Sequence, residues 1–335
     1  MSQTSSALLS KNIFMTKKMW GEKPYHSLDY EMKERFSEKV YKISLESGMT
    51  CPNRDGTLDS RGCIFCSGKG SGDFAAPLAD SITGQIDAGI RGLSTRKKVG
   101  DKFIAYFQSF TNTYAPVSIL RTMYEEALRH PKVAMLSIAT RPDCLPEEVL
   151  ALLAECNQFK PVMVELGLQT IHEQTAALIR RGYTLDVYNK AVKSLKALGL
   201  EVVTHVIAGL PGETQEDFLE TVFHVGETGS DGIKLQLLHI LEHTDLAVLY
   251  RQGKCHAMTF DAYIDTVIRA LAILPENMVI HRLTGDGPKS LLIAPAWSSR
   301  KRDVLNEIHR QLKNRNLWQG KERKQYIHER SIYDI

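Results

Sequence analysis

Val40-Tyr41-Lys42-Ile43-Ser44-Leu45 runs, six residues on, into Cys51-Pro52-Asn53-Arg54-Asp55-Gly56 and then Arg61-Gly62-Cys63-Ile64-Phe65-Cys66-Ser67. An apolar, strand-like run therefore delivers three cysteines to one loop, with a gap of eleven residues and then a gap of two. Three thiolates on one loop can hold a cubane iron–sulfur cluster and leave one iron free for a small molecule. Zinc is the competing reading. A structural zinc takes four protein ligands, usually as two close pairs, whereas here one close pair stands with a lone cysteine, and His26, the nearest upstream histidine, has no ligand-like partner beside it. Cys-x-x-Cys alone is a weak signal, so the rest of the chain has to decide.

Outward from this loop, further apolar runs occupy residues 103–108, 134–139, 162–168, 202–207 and 233–241, rich in Val, Ile, Leu and Phe and bounded by turn residues. With residues 40–45 they make six candidate strands. Amphipathic stretches lie between them at 82–93, 117–129, 146–156, 186–198 and 215–227; Pro146 suits a first helical turn and Gly199 a stop. Strand and helix in alternation predict an α/β fold with a parallel sheet and right-handed crossovers. A sixth helix is expected at 259–274, then short segments and a basic helix over 299–316. The reading divides the chain into an N-terminal extension (1–38), a core (39–250) and a C-terminal region (251–335).

At 335 residues, 43% hydrophobic and 24% charged, the chain can bury a full-sized core. No apolar run approaches the roughly 20 residues needed to cross a bilayer, and the start, with Lys11, Lys17 and Lys18, lacks the apolar stretch of a signal peptide. A cytoplasmic location without a membrane partner is expected. Six cysteines are too sparse for a disulfide scaffold; Cys144, Cys156 and Cys255 read as ordinary thiols. Net charge is only +3, yet residues 300–330 carry ten Lys/Arg against four Asp/Glu, and Arg96, Lys97, Lys98 and Lys102 form a second basic cluster. Such a bias suits a phosphate-bearing partner or, equally, a solvated helix face.

Ligands of parallel α/β sheets bind at the carboxyl ends of the strands, and here those ends are polar. They carry Gln108-Ser109-Phe110-Thr111-Asn112-Thr113, Thr140-Arg141-Pro142-Asp143, Glu165 with Gln169, Gly209-Leu210-Pro211-Gly212-Glu213-Thr214, and His239 with Glu242. A buried Glu165 is costly without a hydrogen-bonding partner; a ligand hydroxyl is expected to supply one.

The cysteine loop with Phe65 before its last cysteine, Thr140-Arg141-Pro142-Asp143, Glu165-Leu166-Gly167-Leu168-Gln169 and Gly209 to Thr214, in this order, resemble a radical S-adenosylmethionine (SAM) enzyme. Within that superfamily the chain resembles the YhcC/YtqA-type, MnmL-like proteins, related to the radical SAM domain of the Elongator catalytic subunit. This likeness extends through His281-Arg282-Leu283-Thr284-Gly285-Asp286 and Leu292-Ile293-Ala294-Pro295-Ala296-Trp297. The gap of eleven departs from the superfamily's commoner gap of three, and no acetyltransferase-like segment accompanies the core, so acetyl-CoA chemistry is not expected.

The resemblance implies a partial (β/α)6 TIM-like barrel with an N-terminal extension and a C-terminal α+β region facing the substrate. It implies a [4Fe–4S] cluster on Cys51, Cys63 and Cys66, with SAM chelated by the fourth iron and cleaved reductively to methionine and a 5′-deoxyadenosyl radical. By position, Gln108 and Ser109 would meet the SAM amino group and Glu165 or Gln169 the ribose. Arg180 or Arg181 would meet the carboxylate as a bidentate partner, and backbone from Gly209 through Gly212 to Glu213 the adenine. Arg282 and Asp286 would face the substrate. Implied partners are tRNA, gripped by the basic C-terminal region, and a one-electron reductant such as flavodoxin or ferredoxin. The implied reaction converts wobble 5-carboxymethylaminomethyluridine into 5-aminomethyluridine; a radical SAM enzyme with a non-RNA substrate, or an iron–sulfur protein acting by protein binding, are the alternatives.

Overall fold

A computed structural model describes residues 17–68, 70, 81–285 and 287–333. Seven strands form one parallel sheet: β1 (Tyr41–Leu45), β2 (Phe103–Phe107), β3 (Val133–Thr140), β4 (Val162–Gln169), β5 (Glu201–Ala208) and β6 (Gly232–Leu237), then, after the short β7 (Ile240–Leu241), β8 (Val279–Arg282). The spatial order is β1-β2-β3-β4-β5-β6-β8, and β1 and β8 do not pair, so the barrel stays open on one side. All six expected strands are present; β8, from the C-terminal region, adds a seventh beside β6. β7 pairs antiparallel with β9 (Leu292–Ala294), a small separate ribbon.

The helices Ile82–Ser94, Val117–Arg129, Glu147–Phe159, Leu185–Ala197, Gln215–Glu227 and Phe260–Ile273 clothe the outer face. Their apolar stripes interleave with strand residues in one core: Leu120, Leu152, Leu195, Phe218 and Val267 meet Leu136, Val164, Val202 and Leu235. β2 is buried at all five positions, as a strand covered on both faces must be. Thr214 closes a capping box with Asp217 at the start of Gln215–Glu227, which fixes the Gly209–Glu213 turn just before it.

The second half of the expected N-terminal extension is part of the barrel. Ser27 caps the helix Leu28–Phe36, and Met32 from it packs under the sheet against Ile104, Met135, Met163 and Val203. The chain is held there by Ile280 N donating to His26 O at 2.7 Å. Burying a methionine side chain this fully stabilises by about 1.5–3 kcal/mol. The barrel is thereby closed at the amino ends of its strands and open at their carboxyl ends.

The basic C-terminal region, expected to grip tRNA, divides between the core and the amino ends of the strands. Helix Lys301–Asn314 packs Val304, Ile308 and Leu312 into the core, and the chain then reaches the amino ends of the strands. There the fully buried Gln319 accepts from His26 N at 2.8 Å and donates to Met278 O at 2.8 Å. Arg310, Arg315, Arg323 and Arg330 are matched by Glu307, Asp265, Glu227 and Glu220. Much of the excess charge is therefore balanced locally, and the segment around Gln319 lies at the end of the barrel opposite the cysteines. No helix among the described residues is long and apolar enough to cross a membrane.

Candidate active site

The long gap in the cysteine loop closes on itself. Arg54 N donates to Cys51 O at 2.8 Å, Leu58 N to Pro52 O at 2.8 Å and Gly62 N to Asn53 O at 2.6 Å, so the eleven-residue excursion leaves and returns at one place. Gly62 has φ 76° and a Cβ there would stand 2.8 Å from Arg54 Nε; the return requires glycine. Arg54 holds the last cysteine turn by donating to Cys66 O (2.9 Å) and Ser67 O (2.7 Å), and Asn53 Nδ2 ties the loop to Arg180 O at 2.7 Å.

All three cysteines line one cavity of about 400 Å³ at the carboxyl ends of the strands. Burial, reinforced by the neighbouring Cys66, pushes the Cys63 thiol up to about 12. A thiol so placed ionises readily only when a metal supplies the compensating charge. Among the described residues the His/Cys/Asp/Glu donors that converge within 4.8 Å of one another are those of His172, Asp217 and Glu220. The three sulfurs therefore do not all lie within 4.8 Å of one another, as three thiolates on one tetrahedral zinc, about 3.8 Å apart, would. Three spread thiols suit a polynuclear cluster.

Of the residues expected to meet cofactor or substrate, Gln108, Glu165, Gln169, Arg181 and Arg282 line the same cavity. Gln169 sits there with φ 64°, and Phe110 opposite with φ 57°, backbone that non-glycine residues adopt mainly where the surroundings impose it. Ser109 is fully buried and does not line the cavity. Gly209 (φ 83°) lies against Met258, and neither it nor Gly212 lines the cavity. Arg180 does not line the cavity; it pairs with Asp245, and its Nε and Nη1 are buried without a hydrogen-bond partner among the described residues. Arg181 is 1% exposed, and its guanidinium donates to Thr170 O (2.5 Å), Tyr183 O (2.8 Å) and Glu173. Asp286 lies outside the described residues.

Glu165 corrects the expectation most. Its cost of burial is met by protein and not by a ligand. Oε1 receives Lys42 Nζ at 2.5 Å and Ser137 Oγ at 2.8 Å; Oε2 receives Tyr106 OH at 3.0 Å, His205 Nε2 at 2.7 Å and Lys234 Nζ. Burial works against the charge of this carboxylate, but Lys234 and Lys42 overcome it and hold the group well below the usual carboxylate range. Burial likewise pushes His205 down to about 4, helped by the Lys234 charge, so that ring is neutral near pH 7. Lys42, Tyr106, His205 and Lys234 were missed in the sequence. The available signal was a lysine inside the apolar run Ile233-Lys234-Leu235 and another at the alternate position of Tyr41-Lys42-Ile43.

With this geometry in hand, comparison with known proteins places the chain. Residues 28–225 match the model of the Radical SAM superfamily, and residues 230–314 that of the Radical SAM C-terminal domain. The chain belongs to the radical SAM superfamily. It is 45% identical over 300 residues to YtqA of Bacillus subtilis (strain 168), covering 90% of this chain and 93% of YtqA. A tRNA uridine(34) acetyltransferase of Methanocaldococcus jannaschii is 26% identical over 273 residues, 69% of this chain and 49% of that protein. Among solved structures, the archaeal Methanocaldococcus infernus Elp3 superposes with a TM-score of 0.64 at 18% identity, covering 84% of this chain and 64% of that one, a likeness of fold. Radical SAM enzymes use a [4Fe–4S] cluster and SAM, and the three spread thiols on one cavity fit that cofactor pair.

Proposed function

We propose that this radical SAM enzyme acts on the side chain of a wobble uridine in tRNA, converting 5-carboxymethylaminomethyluridine to 5-aminomethyluridine. The observation that carries this reading is the likeness over 69% of the chain to a tRNA uridine(34) acetyltransferase. The cavity supports it: Arg282 faces it with no hydrogen bond or ion pair among the described residues, as a cation awaiting an anionic substrate group would.

Cys51, Cys63 and Cys66 would hold three irons, and Gln108 and Gln169 on the cavity wall would contact SAM, while Arg181, its guanidinium bonded within the protein, would hold that wall. When bound, cluster and SAM supply a 5′-deoxyadenosyl radical, a strong hydrogen-atom abstractor. On the substrate, the methylene between nitrogen and carboxylate is the favoured source of that hydrogen, because the nitrogen lone pair stabilises the carbon radical left behind. Loss of one further electron, to a one-electron acceptor such as the oxidised form of the reductant, and of the nitrogen-bound proton to water gives an imine, which water hydrolyses to the aminomethyl product and glyoxylate. Arg282 orients the carboxylate. A one-electron reductant, of flavodoxin or ferredoxin type, has to supply the system.

The test is anaerobic turnover of tRNA carrying deuterium on that methylene. Deuterium should appear in 5′-deoxyadenosine alongside 5-aminomethyluridine, and Arg282→Ala should slow nucleoside turnover more than background SAM cleavage. Deuterium-free 5′-deoxyadenosine during confirmed product formation would refute the abstraction site; absence of any tRNA product would refute the substrate.

A further inference from the structure

The floor of the cavity carries more positive than negative charge. Glu165 is its sole described carboxylate, 0% exposed, yet it faces Lys42 and Lys234, whose side chains are 19% and 5% exposed. Arg282 on β8 is the register partner of Lys234 on β6, and both line this cavity. Lys42, Lys234 and Arg282 therefore share one described carboxylate; burial, with the Lys42 and Arg282 charges, pushes Lys234 well below the usual lysine range although Glu165 opposes this, and unbalanced buried charge is strongly unfavourable. Glu165 is also saturated: five donors converge on a group with about four lone-pair sites. Lys234 Nζ, bonded to Glu165 and at 3.1 Å to Tyr106 OH, keeps a third N–H, and Lys234, Tyr106 and Arg282 all line the cavity.

We propose that Lys234 and Arg282, with the Tyr106 hydroxyl beside them, form a clamp for a carboxylate carried on a flexible arm of the substrate, and that Glu165 is the positioning residue that aims Lys234. The clamp rests on the reading of this cavity as the substrate site and names what the site selects. SAM also bears a carboxylate, but Glu165 precedes Gln169 by four residues, which puts the floor about 13 Å below the strand end at about 3.3 Å per residue. The carboxylate of SAM belongs at the rim, beside the cysteines. A second anion is needed at the floor, and a carboxylate matches two donors from Lys234 and Arg282 better than a neutral amide does.

The clamp is tested on the holoprotein saturated with SAM, so that the open iron is occupied, by calorimetric titration with N-acetylglycinate and its neutral isostere N-acetylglycinamide. The carboxylate should bind about 10-fold or more tighter than the amide, the range of a hydrogen bond to a charged group. Lys234→Met and Arg282→Gln should each erase most of that preference while leaving circular dichroism unchanged. Glu165→Gln should lower the preference while leaving the affinity for the amide little changed, because Lys234 loses the charge that aims it; a merely structural Glu165 would weaken both ligands alike. Equal affinity for the two ligands, no saturable binding of either, or a preference untouched by Lys234→Met would overturn the clamp. These readouts do not involve RNA, so a wrong tRNA assignment would leave them intact, and a wrong clamp would leave tRNA turnover intact.

Discussion

Removing the Glu165 carboxylate should damage the fold before it damages SAM binding. Glu165→Ala strips the only described counter-charge from Lys234, 5% exposed, and from Lys42, 19% exposed. Breaking a buried pair by deleting one partner costs about 3–5 kcal/mol, because the remaining charge stays buried and unmatched. Across 335 residues the unfolding entropy is about 0.7 kcal/mol/K, so Tm should fall by about 4–7 °C. Lys234→Met alone leaves Glu165 bonded to Lys42, Ser137, Tyr106 and His205, and should cost less. In the double variant Glu165→Ala/Lys234→Met the two losses should not add, with a coupling of about 0.5–3 kcal/mol. The assay is anaerobic thermal unfolding of the four proteins of this cycle, followed by circular dichroism. An unchanged Tm for Glu165→Ala, or strictly additive losses, would refute the internal-charge reading and return Glu165 to the role of ligand contact.

Two further outcomes are expected. Anaerobically reconstituted protein should hold about four irons and four sulfides per chain; Cys51→Ala, Cys63→Ala or Cys66→Ala should abolish the cluster, and Cys144→Ala, Cys156→Ala and Cys255→Ala should not, whereas stoichiometric zinc in protein purified without oxygen would contradict the assignment. His205, pushed down to about 4 in the fold against about 6.5 unfolded, takes up its proton later in the native than in the unfolded state. Its contribution is therefore complete above about pH 6.5, falls away as pH drops towards 4, and amounts to about 3 kcal/mol at most. His205→Gln should flatten the stability–pH slope in that window, and an unaltered slope in denaturant titrations would show that the ring titrates normally.

The sequence by itself determined the alternation of strand and helix, because buried parallel strands must be apolar throughout and leave their signature in short runs such as 103–108 and 162–168. It also placed three cysteines on one loop, since ligand identity and spacing are local properties, although that loop alone left zinc as a competing reading. Thr140-Arg141-Pro142-Asp143 and Gly209 to Thr214 could be placed at strand ends for the same reason: each follows its strand directly. Other features were decided only by tertiary structure. Lys42, Tyr106, Glu165, His205 and Lys234 come from five strands far apart in the chain and become one layer only when the sheet curls, so nothing local marks them as partners. The polar segment before residue 38 reads as irregular because its large buried apolar residues, Trp20, Tyr25 and Met32, are few and widely spaced and make no periodicity. The charge at the C-terminus reads as a basic face because its counter-charges, Asp265, Glu227 and Glu220, lie on other helices. Local chemistry and periodicity are written in neighbouring residues; which charges balance one another depends on distances through space, and those exist only once the chain has folded.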